Sequence, residues 1–253
     1  MEIIFEDTAL IVLNKPSGIT VNRSDTTREE ETVQDWVEKR FGIQYSGFKF
    51  APKKEGEWES PEEAFVKRAG IAHRLDKETS GILLVAKTIP AFIELQRQFK
   101  ERIVKKAYLA LAHGRLLPTE GEVSVPVGRL EFNRKRFGVV AGGKESKTKY
   151  KVLESFINPK TKEPLSLVEL YPETGRTHQI RVHLKHLNRP IFADALYAGR
   201  KTARDDRKQL DRLFLHAARI DFVHPLSQER ITFTSQLGED LEIFLQTLQK
   251  IAA

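Results

Sequence analysis

His73-Arg74-Leu75-Asp76-Lys77-Glu78-Thr79-Ser80-Gly81 carries a polar connection, Asp76 to Gly81, between two short strand-like runs, Ile71 to Leu75 and Ile82 to Lys87. The runs predict two strands, and an Asp in a Gly-ended connection reads, taken alone, as a turn-former. Upstream, Ala9-Leu10-Ile11-Val12-Leu13-Asn14 is strand-like and stops at Lys15-Pro16-Ser17-Gly18, a turn signal. Thr32 to Arg40 predicts a helix with Val33, Trp36, Val37 and Arg40 on one face, and 45–68 reads as an exposed insertion rich in Lys, Glu, Pro and Gly. Downstream, Phe92, Leu95, Phe99 and Ile103 recur at helical spacing behind Thr88-Ile89-Pro90. Lys106 to Ala112 alternates like a strand, so Tyr108 shares a face with Lys106 and Ala110.

Further strands are expected at 122–127, 146–155, 165–171, 214–223 and 229–234. A short helix fits 178–187, with Ile180, Leu184 and Leu187 inward and His178, Arg181 and Lys185 projecting elsewhere. A C-terminal helix buries Leu241, Phe244, Leu248 and Ile251. Strands outnumber helices and short turns join them, which favours antiparallel α+β over a doubly wound parallel sheet. No repeat or low-complexity linker splits the chain, so one domain over 1–253 is expected.

The chain has 253 residues and a net charge of +7, with no cysteine. A disulfide framework, a thiolate nucleophile and a thiolate metal site are therefore excluded. No apolar run reaches the ~18 residues of a membrane span, and the N-terminus is no signal peptide, so a soluble, cytoplasmic protein is expected. The charge is unevenly placed. Residues 1–70 hold 14 acidic and 10 basic side chains, and the remainder holds 21 and 32. The window 127–151 carries Arg129, Arg134, Lys135, Arg136, Lys144, Lys147, Lys149 and Lys151 against Glu131 and Glu145, interleaved with Phe132, Phe137 and Tyr150. A second cluster runs from Arg200 to Arg212. Each alone suits a solvated face; together they point to a polyanion, with nucleic acid the leading partner class.

Three common chemistries fail on spacing. Gly138 to Glu145 begins like a phosphate-binding loop, yet Glu145 stands where the magnesium-binding hydroxyl is needed. Ser80 has no Gly two residues before it, so it is no nucleophile elbow. His178 and His183 are five apart, on different faces of a helix or a strand, and local hydrogen bonding is their expected role.

The block His73 to Gly81 resembles the signature of the RluA-type RNA pseudouridine synthases. The same family is resembled, in order, by Lys15-Pro16-Ser17-Gly18, Lys106-Ala107-Tyr108-Leu109-Ala110, Thr174 to Leu184, and Leu215-His216-Ala217 through His224-Pro225. The resemblance runs from about residue 3 to 240. It implies an α+β fold with a bent, mixed but mostly antiparallel central sheet flanked by helices. It implies that Asp76 is the catalytic aspartate, that Tyr108 packs against the target base, and that Arg181 is the basic residue paired with the aspartate. Arg74 matches an arginine that enters the RNA stack in some relatives. Arg176, Lys144, Lys147 and Lys149 are the further RNA-binding candidates.

The implied reaction isomerises specific uridines of structured RNA, transfer or ribosomal, to pseudouridine. It needs no cofactor and no metal, since nothing is oxidised or hydrolysed. A monomer is expected. The alternative is a non-catalytic RNA-binding protein on the same fold. Two departures stand out: the insertion at 45–68, and Ala193-Asp194 where relatives carry Gly-Asp before the late tyrosine, here Tyr197. Many relatives also have an N-terminal RNA-binding module; here the catalytic pattern starts at once, and none is expected.

Overall fold

The computed structural model describes residues 1–23, 30–42 and 59–251. In chain order the elements are β1 (Glu2–Glu6), β2 (Leu10–Lys15), α1 (Val33–Phe41), α2 (Pro61–Lys67), β3 (Ser80–Ala86), α3 (Ile89–Lys100) and β4 (Lys105–His113). Next come β5 (Glu120–Ser124), β6 (Val127–Leu130), β7 (Asn133–Val139), β8 (Lys147–Ile157) and β9 (Pro164–Pro172). The chain ends with α4 (Gln179–His186), α5 (Arg200–Asp206), β10 (Leu215–Val223), β11 (Arg230–Thr234), α6 (Glu239–Gln246) and β12 (Gln249–Ile251). No helix among the described residues is long and apolar enough to cross a membrane.

Two compact units form: Met1–Val104 with Asp221–Phe233, and Lys105–Ile220 with Thr234–Ala253. Two of the boundaries fall inside β10 and β11, where no linker composition marks them.

In the first unit β1, β2 and β3 pair antiparallel, Leu10 opposite Ala86 and Lys15 opposite Gly81. Residues Leu10–Leu13 and Ile82–Ala86 are buried, as their unbroken apolar runs require. Helix α1 starts on a capping box, Thr32 with Asp35, and stops at Gly42 in the left-handed region. Part of the expected insertion is instead helix α2, which opens on the Ser60–Glu63 capping box with a proline in its first turn and buries Phe65 and Val66. Phe65 meets Phe92 of α3 edge-on, ring centroids 5.7 Å apart. Residues 45–58 lie outside the described residues. The expected strand Ile71–Leu75 shrinks to one bridge, Ile71 with Val85. The cause is local: the Leu84 N–H donates to the His73 ring instead of a backbone carbonyl, so the chain leaves the ladder there.

In the second unit β4, β9, β8 and β12 pair antiparallel in that order, and β5 lies on β8. Leu111, Leu165, Val168, Phe192, Phe214 and Leu241 centre its core. The strand expected at 122–127 is split by Pro126, which has no N–H to donate. The C-terminal helix is shorter than its apolar spacing predicts. Thr247 donates its hydroxyl to the Phe244 carbonyl, the helix ends, and Gln249–Ile251 pairs with β8. β6 and β7 form a separate two-stranded ribbon where only a charged stretch was legible.

Candidate active site

The aspartate loop of the first unit begins where the β2–β3 ladder ends, at Lys15 opposite Gly81. Lys15 is fully buried, and its ammonium donates to the carbonyls of Pro16, Ile19 and Lys77 at 2.8, 2.9 and 3.1 Å. Ser17 Oγ donates to the Glu78 carbonyl at 2.7 Å, and Gly18 N–H to Lys77 at 2.8 Å. Gly18 takes φ +86°, which turns its N–H back toward the loop. The Lys-Pro-Ser-Gly turn thus holds the two peptide carbonyls that follow Asp76. Asp76 itself accepts the Thr79 N–H at 3.1 Å through its own carbonyl, closing a turn in which the residue is half-buried. Leu75 anchors the loop from inside, while Arg74 is exposed. The bonds that hold this loop run to its backbone carbonyls.

Tyr108, Arg176 and Arg181 belong to the second unit. Tyr108 stands half-buried on β4 opposite Leu170 of β9. Arg181 was expected to project away from the apolar face of its helix; instead it is 4% exposed, because α4 is buried nearly all round. Its Nε and Nη2 donate to Asp194 Oδ2 and Oδ1 at 2.9 and 2.8 Å, a two-point grip on a carboxylate that is itself fully buried. Asp194 Oδ1 also accepts the N–H groups of Leu196 and Tyr197. The Arg181 guanidinium lies 5.1 Å from the Tyr197 ring centroid. Tyr197 Oη accepts the Phe137 N–H at 3.0 Å, which leaves its proton for His178 Nδ1 at 2.9 Å.

This network explains the departure at Ala193. Its φ is +60°, the region glycine enters without strain, while the aspartate that follows keeps its place against Arg181. The Ala193 N–H donates to Asp206 Oδ2 at 3.0 Å, and the same oxygen meets His113 Nε2 at 2.9 Å. His113 Nδ1 reaches Glu163 at 3.0 Å. Burial lowers the His113 pKa, but its bonds to Asp206 and Glu163 outweigh that and raise it to about 9. A chain of contacts therefore runs from an imidazolium through Asp206 and the Ala193–Asp194 peptide to Arg181.

The Gly-Arg-Thr-His-Gln stretch is held by Gln179. Its Oε1 accepts from Thr174 Oγ1 at 2.7 Å and from Arg176 N–H at 3.0 Å, and its Nε2 donates to the Lys147 carbonyl and Thr148 Oγ1. Arg176 Nε donates to the Glu145 carbonyl at 3.2 Å. His183 is buried against Ser146 at 2.9 Å, and burial pushes its pKa down to about 4. Lys106, one face-step from Tyr108, has an amine that burial pushes down to about 8, and it has no hydrogen-bond or ion-pair partner among the described residues.

Of the basic candidates, Lys144 is exposed, whereas Lys147 pairs with Glu122 at 2.8 Å and Lys149 with Glu173 at 2.9 Å. In the Arg200–Arg212 cluster, Lys208 pairs with Asp205, Arg212 with Asp240, and Arg207 donates to the Ala193 carbonyl. Asp194, Tyr197, Gln179 and His113 are members of these networks to which the sequence reading gave no role. The one visible signal was the Ala193-Asp194 departure itself.

The sequence profile of the RNA pseudouridylate synthase family matches residues 9–186. Ribosomal large subunit pseudouridine synthase D of Neisseria meningitidis serogroup B is 38% identical over 256 residues, covering 98% of this chain and 61% of that protein. Ribosomal large subunit pseudouridine synthase C of Vibrio vulnificus is 38% identical over 248 residues, covering 98% of this chain and 69% of that one. The chain thus spans about three-fifths to two-thirds of the length of these relatives. The solved human RNA pseudouridylate synthase domain containing 1 superposes with a TM-score of 0.71 at 28% identity, over 99% of this chain and 88% of that one. These matches bear out the α+β fold expected from the sequence, and the chain belongs to the RNA pseudouridylate synthase family.

Proposed function

We propose that this protein is an RNA pseudouridine synthase, an isomerase that converts uridines of structured RNA to pseudouridine. The observation that carries the reading is the Asp76 loop, whose following carbonyls are held by Lys15, Ser17 and Gly18. Such a clamp suits a reacting carboxylate more than a solvent-facing turn.

In this reading Asp76 attacks the uridine, or assists loss of the base from the sugar. The glycosidic C1′–N1 bond breaks, the base turns and C1′ bonds to C5. C5 then loses its proton and N1 takes one up, so the product is an isomer with no net change of oxidation state and no cofactor enters. Tyr108 packs against the base, offsetting part of the stacking lost when the uridine leaves the RNA. Arg181, its charge already fixed by Asp194, serves as the basic partner of the aspartate. Arg74, exposed beside the loop, enters the stack the uridine vacates. Arg176 and Lys144 contact phosphates, and Lys147 and Lys149 do so by exchanging Glu122 and Glu173 for RNA. Residues 1–253 act as one catalytic domain, in the cytoplasm and as a monomer. The names of the relatives favour ribosomal over transfer RNA as substrate.

Asp76→Asn should reduce pseudouridine formation by roughly a thousandfold or more while RNA binding survives. Pseudouridine-specific chemical mapping of ribosomal and transfer RNA, in cells with the wild type or the variant, reads both the loss and the target. An unchanged map would sink the catalytic role of Asp76 and leave an RNA-binding protein.

A further inference from the structure

Two lysines of this chain are withdrawn from water and end up in opposite states. Lys15 gives its ammonium to three carbonyls, whereas Lys106 has no hydrogen-bond or ion-pair partner among the described residues. Along β8 each lysine has its carboxylate: Lys147 meets Glu122, Lys149 meets Glu173 and Lys151 meets Glu120, at 2.8 to 2.9 Å. Burial pushes the Lys106 amine down to about 8, and neither a carbonyl nor a carboxylate compensates for the water it has lost. A cation in that state works against folding.

Its surroundings say what could engage it. Strand β4 sets Lys106 and Tyr108 on one face, two positions and about 7 Å apart along the strand. The Lys106 amine also borders Gly175, the glycine of the Gly-Arg-Thr-His-Gln stretch. A methyl placed on Gly175 would touch Lys106 Nζ at 4.0 Å and, its chain neighbours aside, nothing else. Gly175 lies outside the left-handed region, so its backbone does not call for glycine. The missing side chain instead leaves open space in front of a bare ammonium.

We propose that Lys106 is a catalytic residue: its ammonium donates to a ring oxygen of the target uracil packed on Tyr108 and holds the negative charge that gathers there. This rests on the synthase reading above and adds to it the group that receives the charge of the base. Either course open to Asp76 creates that charge. If the base departs first, the C1′–N1 electron pair leaves with it and spreads over O2 and O4. If the carboxylate adds to C6 of the ring, the C5–C6 π pair moves toward O4. Once the base has turned, C5 bonds to C1′ and gives up its proton, N1 gains one, and the ammonium is left as it began. A fixed cation that has already lost its water needs no reorganisation as this charge appears.

The test is single-turnover release of tritium from C5-labelled large-subunit ribosomal and transfer RNA transcripts, with filter binding and thermal unfolding of the same proteins. Lys106→Met should slow release at saturating protein by roughly a hundred- to a thousandfold, the worth of one charge-stabilising donor. Its Kd should stay close to that of the wild type. Its unfolding midpoint should equal or exceed the wild type's, because an unpaired ammonium gives way to an apolar chain of similar length. Gly175→Ala keeps the amine but fills its space; it should fold as wild type and slow release about tenfold or more. Lys105→Met, next in sequence but exposed, is the control and should match wild type. Wild-type release by Lys106→Met would overturn the proposal. So would a normal rate at saturation with a weakened Kd, which marks a phosphate contact. A lowered midpoint or a failure to fold overturns it as well, since either marks a structural amine. Release by neither wild type nor variant ends the synthase reading and the proposal with it; equal release by both ends the proposal alone.

Discussion

Asp76 and Arg181 are held by opposite means. The aspartate loop is gripped by its backbone, through the Lys77 and Glu78 carbonyls, with donors drawn from a turn of four consecutive residues. The arginine is gripped by its side chain, through a buried carboxylate that is itself steadied by backbone N–H groups and, beyond Ala193, by Asp206 and His113. A backbone clamp tolerates change in the side chains it holds and depends on those that donate. A buried ionic network tolerates almost no removal, because each deletion leaves a desolvated charge behind.

The contrast predicts an ordering. Asp194→Ala leaves the Arg181 guanidinium buried without its carboxylate and should cost about 3–5 kcal/mol in urea unfolding. A cost below that of Lys15→Met would break the comparison. His113 gives the same network a pH signature. Its folded pKa of about 9 stands above the ordinary 6.5, so its stabilisation is fully present below pH 6.5 and is lost as pH rises through 9. The loss should approach about 3 kcal/mol, and the stability gap between wild type and His113→Gln should close over that window. A gap that stays constant from pH 6 to 9 removes the imidazolium from the network.

Lys15→Met exchanges three charge-assisted bonds to carbonyls for an apolar chain of similar length. About 2 kcal/mol of stability should go, while product formation should slow by roughly ten- to a hundredfold as the Asp76 loop loosens. A variant with reduced stability and wild-type turnover would show that the clamp supports the fold alone. The smallest effect belongs to Ala193→Gly. Removing a fully buried methyl and adding backbone freedom costs about 1–2 kcal/mol, and relief of the +60° φ returns roughly the same. Equilibrium unfolding should find the two proteins within about 0.5 kcal/mol; a full cost would mean that Ala193 is unstrained.

The same contrast decides what could be read in advance. β2 and β3 announce themselves because a strand buried on both faces must be apolar throughout, and α3 because Phe92 and Leu95 recur at helical spacing. The aspartate loop is legible through contiguous motifs, Lys15 to Gly18 and His73 to Gly81. Arg181 misleads, since a charge on an amphipathic helix is normally on its wet side; on α4 only Lys185 and His186 are exposed, and the partner that permits Arg181's burial lies 13 residues on. Helix α2 hides in a stretch dominated by Glu and Lys, where only the caps and two apolar residues reveal it. The β6–β7 ribbon hides for the reverse reason: its exposed faces need no apolar alternation. Network members such as His113 and Asp206, 93 positions apart, share no local pattern at all.

The division of the chain has a consequence for its synthesis. The first unit is not complete when residue 104 leaves the ribosome, because Asp221–Phe233 belongs to it. Until then the buried Gln98 amide lacks the Val223 peptide, to which it both donates and from which it accepts across 125 positions, and Phe5 lacks Phe233. Closing so long a loop is slow by its entropy alone. The aspartate loop therefore sits in a half-finished unit until residues 221–233 have been made.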